Sequence, residues 1–429
     1  MEMFNYYLKL SWRNLVRNRL FFTLMIITLA VGVGVFLANI AIIKSMSQDP
    51  LPGKSEKVFN LTHNIWPNDN PSEKLLHVIR YDDAMHFLSN DIATHTMVHY
   101  ESNVYARASD AKSLTRYSAV VRATTPGFFP ITDAPFAYGS AWSNDRAKQV
   151  VIGDKLNKSI FGGGNNIGKS IEVDGSFFEV VGILKPWQLK PKFYESSQNN
   201  AFSDSDDIYV PLETAMDQEW AVTVRNMSTE LITTVSENRG RNGFFLQAYA
   251  QLDSKEQQAQ MLSFMNNYSQ MRKEQGDSLR PSPNRILNVN QWLEENKVVD
   301  QQMLAFGLAS SLFLAVCIFN ASSLLLARYH GARFETGLRR AVGARMKDVF
   351  YQGLVESTLI GLCCAVVAIA FSVGFLKLSI ALFPPLESTS DINLSLIFIG
   401  IAIALVSSFI SMLYPLIRSS RQSLSTILK

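Results

Sequence analysis

The stretch GGNNIGKS, Gly163 to Ser170, has the residue types and spacing of a phosphate-binding loop: glycines that let backbone N–H groups cradle an anion, then Lys169 and Ser170 aimed at phosphate and Mg²⁺. That chemistry needs a strand before the loop and a helix after it, and the neighbours read in the reverse order. Ahead of the glycines, KQVVIGDKL and KLNKSIF predict a short strand and then a helix. Behind them, KSIEVDGSFFEVVGIL predicts a β-hairpin turning at Asp174 and Gly175. The stretch therefore reads as a structural turn from helix to strand. Nothing else in the sequence supplies an apolar strand ending in paired acids for Mg²⁺ and a catalytic water, so this chain is not expected to hydrolyse ATP.

The histidines offer a second chemistry. His63, His77, His86, His95 and His99 fall within one short region, and His95 and His99 have the spacing of a helical metal pair. However, ATHTMVHYESNVYA alternates like a strand, in which residues four apart sit ~13 Å apart, too far to share one ion. HExxH and GxSxG are both absent. No catalytic, metal-binding or cofactor-binding residue is assigned.

What must position any function here is a membrane. Of 429 residues, 47% are hydrophobic and 18% charged, with a net charge of +3, too balanced for a nucleic-acid binder and too apolar for a disordered chain. The apolar residues collect in four runs, at 21–43, 303–327, 354–380 and 394–417. The first holds about 23 residues without a charge, enough at ~1.5 Å per residue to cross a ~30 Å hydrocarbon layer. It exceeds the apolar core of about 7 to 15 residues of a signal peptide and follows a basic segment, so it is expected to remain as an anchor. The third run carries Glu356 near its start and Lys377 near its end, where a long side chain reaches the headgroups. Asn39 and Asn320, inside their runs, predict helix-to-helix hydrogen bonds ahead of a transport role.

Flanking charges set the orientation. Lys9, Arg13, Arg17 and Arg19 precede the first run, Arg328, Arg333, Arg339, Arg340, Arg345 and Lys347 fill the loop between the second and third, and Arg418, Arg421 and Lys429 follow the fourth. All three segments are expected on the cytoplasmic side, whereas the loop at 381–393 carries Glu387 and Asp391 and no Lys or Arg, as on the outer side. The fold class is thus a polytopic α-helical membrane protein with four transmembrane helices and a large mixed α/β extracytoplasmic domain, residues 44–302, between the first and second. Residues 1–20 form an amphipathic helix, with Lys9, Arg13 and Arg17 on one stripe and Leu8, Trp12 and Leu15 beside it. Such a helix lies along the cytoplasmic headgroups or simply extends the first span. Cys317, Cys363 and Cys364 all fall in spans, so the outer domain rests on its own one or two cores. Within it DDIYVPL and GFFLQAYAQLD read as strands, SKEQQAQMLSFMNNYSQMRKEQG as a helix, and NQWLEENKVVDQQMLAFG as a helix running straight into the second span as a stalk.

The segment from 328 to 353 has more order than a positive loop requires. In LLARYHGARFETGLRRAVGARMKDVFYQGLVES a helix leaves the second span, Gly343 breaks it, and a new helix enters the third. Glu335, Arg339 and Arg340 offer ion pairs, with Phe334, Leu338 and Val342 between them. That pattern reads as a docking element.

FETGLRRAVGARMKDV resembles the loop by which MacB-type ABC transporter permeases, a family that includes the lipoprotein-releasing and cell-division permeases, couple to an ATPase. The likeness runs along almost the whole chain: LKLSWRNLVRNRLFFTLMIITLAVGVGV is similar to the family's amphipathic entry and first span, TPGFF, KQVVIGDKLNKSIFGGGNNIGKSIEVDGSFFEVVGIL and DDIYVPL to its extracytoplasmic domain, CIFNASSLLLAR to its second span, and YPLIRSSRQSLSTILK to its tail. The glycine turn belongs to that pattern. By resemblance, Phe334, Glu335, Gly337, Leu338, Arg339, Arg340, Ala341, Gly343 and Ala344 fall on the segment that enters a groove on the ATPase. Phe334 and Thr336 depart from the Arg and Ile usual in the family.

The resemblance implies a non-catalytic permease subunit of the cell inner membrane, both termini cytoplasmic, whose ATPase is a separate chain because about 20 residues precede the first span. Its implied partners are a cytoplasmic ABC ATPase dimer holding ATP and Mg, a second permease subunit of the same chain or a paralogue, membrane lipid and, in cells with two membranes, a periplasmic adaptor and an outer-membrane channel. No nucleic acid is implied. Nucleotide-driven closure would move the cytoplasmic loops and, through them, the outer domains, to export a peptide, lipid-like or antibiotic substrate. An alternative within the same architecture is a transmitter that activates an extracytoplasmic hydrolase or releases lipoproteins; one of another class is a membrane-anchored sensor.

Overall fold

The computed structural model describes residues 2–63, 77–109, 116–195, 201–223, 234–240, 243–276, 284–297, 301–331, 338, 345–382 and 394–420. They form two compact units, Gln48–Val298 and the remainder, Met1–Ser47 with Val299–Lys429.

The chain enters as helix α1 (Glu2–Arg17) and, after Asn18, whose ψ of 39° leaves the helical range, continues as α2 (Arg19–Met46). That break makes α1 a separate helix rather than a plain extension of the first span. Leu8, Trp12 and Val16 lie exposed along one stripe and Lys9, Arg13 and Arg17 along the next, while Ser11 is buried.

The Gln48–Val298 unit is built on a sheet whose described strands are β1 (Val58–Thr62), β2 (His95–Ala108), β3 (Tyr117–Thr124), β4 (Phe136–Gly139), β5 (Gln149–Ile152), β6 (Ser170–Val173), β7 (Ser176–Leu184), β8 (Ile208–Pro211), β9 (Gln247–Gln251) and β10 (Arg285–Asn288). Their order is β10-β1-β9-β2-β3-β8-β5-β7-β4, with β6 paired to β2 and β7. The pairs β3·β8 and β5·β7 are parallel and the other registered pairs antiparallel, so the sheet is mixed. Helices α3 (Tyr81–Leu88), α4 (Phe128–Thr132), α5 (Asp154–Phe161), α6 (Leu212–Asp217), α7 (Val235–Gly240), α8 (Lys255–Glu274) and α9 (Val289–Glu295) cover it. Strand alternation divides the burial. Val98, Tyr100, Val121, Ala123, Ile208 and Val210 face a core closed by Phe87, Met261 and Met265. Met97, Tyr209 and Tyr249 face a second, aromatic core closed by Phe128, Phe129 and Trp292. With both faces covered, residues 97–102 of β2 are buried without interruption.

The hairpin predicted at Asp174 and Gly175 forms as β6–β7: both residues have positive φ, 44° and 83°, and Val173 pairs Ser176, the geometry of a two-residue turn. The strands expected in DDIYVPL and GFFLQAYAQLD are β8 and β9, and the helix expected after Asp253 is α8, opened by a reciprocal Ser254–Gln257 cap. The continuous stalk is not formed. Helix α9 stops at Glu295, Asn296 caps it and bonds back to Trp292 O at 3.0 Å, and Lys297 takes a left-handed φ of 50°.

In TPGFF the backbone, more than the apolar pair, fixes the position. A Cβ on Gly127 would lie 2.1 Å from the carbonyl oxygen of Thr96 on β2. Gly127→Ala is expected to lower the stability of this unit by about 2 kcal/mol through overpacking. Thermal unfolding of the full chain in detergent, followed by tryptophan fluorescence, measures it, because every tryptophan except Trp12 lies between residues 48 and 298. An unchanged midpoint would show that β2 moves aside at no cost.

Helices α10 (Gln301–Gly331), α11 (Met346–Leu382) and α12 (Leu394–Ser420) complete the other unit. Among the described residues, four helices are long and apolar enough to cross a membrane: Arg19–Met46, Leu304–Tyr329, Lys347–Ala381 and Leu394–Arg418. Their shared core joins Phe22, Leu29 and Val33 to Leu314, Leu325, Ile360, Cys364, Ala404 and Leu416. Small residues allow close approach. A Cβ on Gly32 would stand 2.8 Å from that of Cys317, and one on Gly34 would stand 2.9 Å from that of Phe371.

Candidate functional site

Residues 332–344 run between the end of α10 and the start of α11, and the described residues on either side are tied to each other. Arg328, in the last turn of α10 that is fully apolar before it (LLLAR), places Nη1 2.6 Å from Oε1 of Glu356 on α11. Glu356 is 2% exposed, although a carboxylate in a span was expected to reach the headgroups. It turns inward because protein replaces its water: Arg328 donates to it, and Asn14 Nδ2 on α1 donates to the same Oε1 at 3.4 Å. The guanidinium carbon of Arg328 stands 4.4 Å from the ring centre of Phe22 on α2. One ion pair thus joins α10 and α11 and touches α1 and α2. Beside it Ser408 Oγ on α12 donates to Ser357 O at 2.8 Å, which brings in the last helix.

At the start of α11, Asp348 Oδ2 accepts from the backbone N–H of Arg345 at 2.8 Å, closing the first turn, and its Oδ1 accepts from Tyr7 OH at 3.3 Å. Of the sequence-predicted docking residues, Leu338 is helical and exposed. Phe334, Glu335, Gly337, Arg339, Arg340, Ala341, Gly343 and Ala344 lie outside the described residues, as does the Gly343 break. Lys377 is exposed. Asn39 donates to Val35 O of its own helix at 3.3 Å rather than to a neighbouring helix, and Asn320 is exposed.

The Gln48–Val298 unit holds a second charged site. Arg122 on β3 pairs directly across from Glu101 on β2 and Tyr209 on β8, on the aromatic face of the sheet. Buried to 1% exposure, it donates to Asp206 Oδ2 at 2.9 Å, to Glu101 Oε2 at 3.0 Å and to Glu195, and its guanidinium lies 5.0 Å from the ring of Tyr194. Lys192 Nζ lies 3.0 Å from Asp206 Oδ1, and His99 Nδ1 3.5 Å from Arg122 Nη1. The carboxyl groups of Glu101, Glu195 and Asp206 lie within 4.8 Å of one another, near enough to share an ion, but Arg122 reaches all three, so the set reads as an ion-pair node. Burial pushes Glu195 up to about 8 against the pull of Arg122. Burial would also raise Asp206, yet the Arg122 and Lys192 charges hold it well below the carboxylate range. His99 is pushed down by burial and by Arg122. With a proton on Glu195, two cations face two remaining carboxyl groups. Sequence reading passed over Arg122 because YSAVVRATT alternates like a half-exposed strand, and its partners lie 73 and 84 residues away.

This node makes stability depend on pH. Glu195 holds its proton in the folded state up to about 8 but releases it near 4.5 when unfolded. Its contribution is therefore complete below 4.5 and is lost as pH rises from 4.5 to about 8. Glu195→Gln is expected to remove that loss, gaining on the parent by up to ~1.4 kcal/mol per pH unit across the window and levelling above it. Chemical unfolding in detergent at pH 5, 6.5 and 8, read by tryptophan fluorescence, checks this; parallel curves at all three would refute the buried proton.

The glycine stretch sits on the same unit between α5 and β6, in the helix-to-strand order expected. Asn166 Nδ2 donates to Asn157 Oδ1 at 2.8 Å and to Gly163 O at 3.0 Å. The N–H groups of Gly163, Gly168 and Lys169 are bonded to Asn157 O, Val180 O and Asn166 O. These donors hold the turn to its own helix and hairpin and do not face outward as a phosphate cradle would. Most of the histidines are likewise spent on packing, and His63 and His86 both lie against Tyr268. His95 and His99 stand four apart on a strand, His86 stacks 4.1 Å from Tyr268, and His63 Nδ1 lies 2.9 Å from Asn284 Oδ1.

Comparison with known proteins places both units. Residues 22–268 match the family described as MacB-like periplasmic core domain, and residues 307–424 match FtsX-like permease C-terminal. The macrolide export ATP-binding/permease protein MacB of Bdellovibrio bacteriovorus is 26% identical over 258 residues, which cover 59% of this chain and 34% of that protein. Its counterpart from Syntrophobacter fumaroxidans is 24% identical over 347 residues, 71% of this chain and 46% of that one. This chain spans about a third of the length of most of the curated relatives it matches. The crystal structure of the periplasmic region of MacB from Actinobacillus actinomycetemcomitans aligns over 58% of this chain and 96% of its own at 12% identity and a TM-score of 0.36. The matched family region from 22 to 268 covers more than half of the 429 residues, and the permease region carries the last three membrane helices. The chain belongs to the MacB-type family of ABC transporter permeases, with a MacB-like periplasmic core domain between its first and second membrane helices and an FtsX-like permease region after it.

Proposed function

We propose that this chain is the permease subunit of a MacB-type machine that turns ATP hydrolysis on a partner ATPase into movement of the periplasmic domain, and so into export across the cell envelope. The bundle end that carries α1 and residues 328–353 faces the cytoplasm, as its basic residues favour. Phe334, Glu335, Gly337, Leu338, Arg339, Arg340, Ala341, Gly343 and Ala344 form the docking segment. The ATPase dimer brings ATP and Mg, a second permease subunit completes the pair, and a periplasmic adaptor with an outer-membrane channel receives the substrate.

The observation that carries this reading is the buried Arg328–Glu356 pair astride the docking segment. A push on that segment meets helices clamped to one another at its root, so α10 and α11 move with α1 and α2 rather than sliding past them. The chain crossings after Ser47 and before Val299 pass the displacement to the periplasmic unit. Such a mechanism needs no polar route through the bundle.

The test is co-purification of the tagged chain in mild detergent, beside a Glu335→Ala, Arg339→Ala, Arg340→Ala variant. A small ABC ATPase is expected with the parent and at least tenfold less of it with the variant. Absence of any ATPase from a folded parent in several detergents would overturn the coupling. Stimulation of the ATPase by a soluble compound separates export from the alternative of a transmitter that acts on an extracytoplasmic hydrolase or on lipoproteins.

A further inference from the structure

Beside the seam between α1 and α11 lies a groove of about 590 Å³, lined by Tyr7 and Leu8 from α1 and by Tyr351, Leu354, Thr358 and Leu362 among others from α11. The two helices run alongside each other there, since Tyr7 meets Asp348 and, seven residues later, Asn14 meets Glu356. We propose that this groove holds one acyl chain of an anionic phospholipid, its phosphate at the Lys9 and Lys347 end.

The lining asks for an apolar occupant. Of its three hydroxyls, that of Thr358 is spent on Leu354 O at 2.9 Å and that of Tyr7 on Asp348, while exposed Tyr351 stands at the Lys347 end, where a headgroup would lie. Length asks for one leaflet: from Tyr351 to Leu362 the helix rises ~16 Å, about half of a ~30 Å hydrocarbon layer. Charge asks for an anion. Lys347, one turn before Tyr351 on the same face of α11, is exposed, as are Arg345 before it and Lys9 beside Leu8. Asp348 at that end is engaged by Tyr7 and by the N–H of Arg345. A second copy of this chain seated symmetrically on the groove would bring the same cations face to face, which disfavours it. The inference needs the membrane helices but not the ATPase, so it stands or falls apart from the coupling.

The full chain is extracted in detergent from vesicles of equal phosphatidylglycerol and phosphatidylcholine, and retained lipid is weighed by native mass spectrometry. The parent is expected to keep phosphatidylglycerol in at least fivefold excess. Thr358→Trp, which fills the groove, should lower retention about tenfold, and Lys9→Gln with Lys347→Gln should keep a lipid but lose the preference. Titration of the parent supplies a reading independent of any filled variant: phosphatidylglycerol should raise its thermal midpoint by several degrees more than phosphatidylcholine does, and not in the double Gln variant. Unchanged retention in folded Thr358→Trp, equal midpoints for the two lipids, or cross-links between cysteines placed at Val355 of two copies without loss on adding phosphatidylglycerol would each overturn the proposal.

Discussion

Arg328→Ala is expected to cost the helical unit about 3 to 5 kcal/mol, because it takes the paired cation away from a carboxylate buried in a span. That is a large share of a total stability of about 5 to 15 kcal/mol. Arg328→Lys keeps the charge but loses the planar group over Phe22, and should recover only part. The informative variant is Arg328→Met with Glu356→Leu, which removes both charges while filling the space. Buried pairs exchanged for apolar residues are often neutral in stability, so the double variant should fold nearly as well as the parent. Detergent unfolding followed by far-UV circular dichroism tests this, and a coupling energy below about 0.5 kcal/mol in the cycle would mean that the pair does not act as a unit. The double variant then separates structure from function. If the pair clamps the root of the docking segment, the variant should still bind the ATPase but lose at least tenfold of the nucleotide-driven response of the periplasmic unit, read by a fluorophore placed there. A full response in a folded double variant would reduce the pair to a packing device.

The elements were largely legible in the sequence, and the charged nodes were not, for a physical reason. A run of apolar residues, an Asp-Gly between alternating stretches and a Ser-x-x-Gln cap act locally, so the spans, the β6–β7 hairpin and α8 could be read from near neighbours alone. The reversed order around GGNNIGKS could be read the same way. Glu356 and Arg122 depend on partners up to 342 and 84 residues away, and one-dimensional spacing gives a buried charge the same look as an exposed one. The expected stalk ends at Asn296 and Lys297, where the backbone leaves the helix with no Gly or Pro in the sequence to mark the break. The docking segment was read from its mixed charge and apolar order, its residues from resemblance, and all of them but Leu338 lie outside the described residues.

The second large effect lies in the periplasmic unit, where Arg122→Leu should cost about 3 to 5 kcal/mol at neutral pH by taking away the cation that reaches Glu101, Glu195 and Asp206, with Lys192 still paired to Asp206. The slope of its pH dependence is the sharper test. In the parent, Asp206 is held well below its ordinary 3.8, so its contribution is present above 3.8 and is lost as pH falls through the depressed value. Without Arg122 the other carboxyls join Glu195 in gaining from protons, so the variant should weaken more steeply than the parent as pH rises from 5 to 8 and partly recover on return. Arg122→Lys keeps one charge but cannot reach three carboxyl groups on separate elements, and should fall between the two. Tryptophan fluorescence during chemical unfolding at pH 5 and 8 reads all three chains; an Arg122→Leu protein as stable as the parent at pH 8 would show that the node is not holding the sheet. The consequence reaches the surface. Asp206 belongs to the segment that, with Lys155, Trp187 and Asp204, lines a cleft of about 400 Å³, and Lys192 and Arg122 both pair with Asp206. Losing Arg122 frees both segments at once, so proteolysis should nick the variant first between residues 185 and 207, well before the strands that flank Arg122.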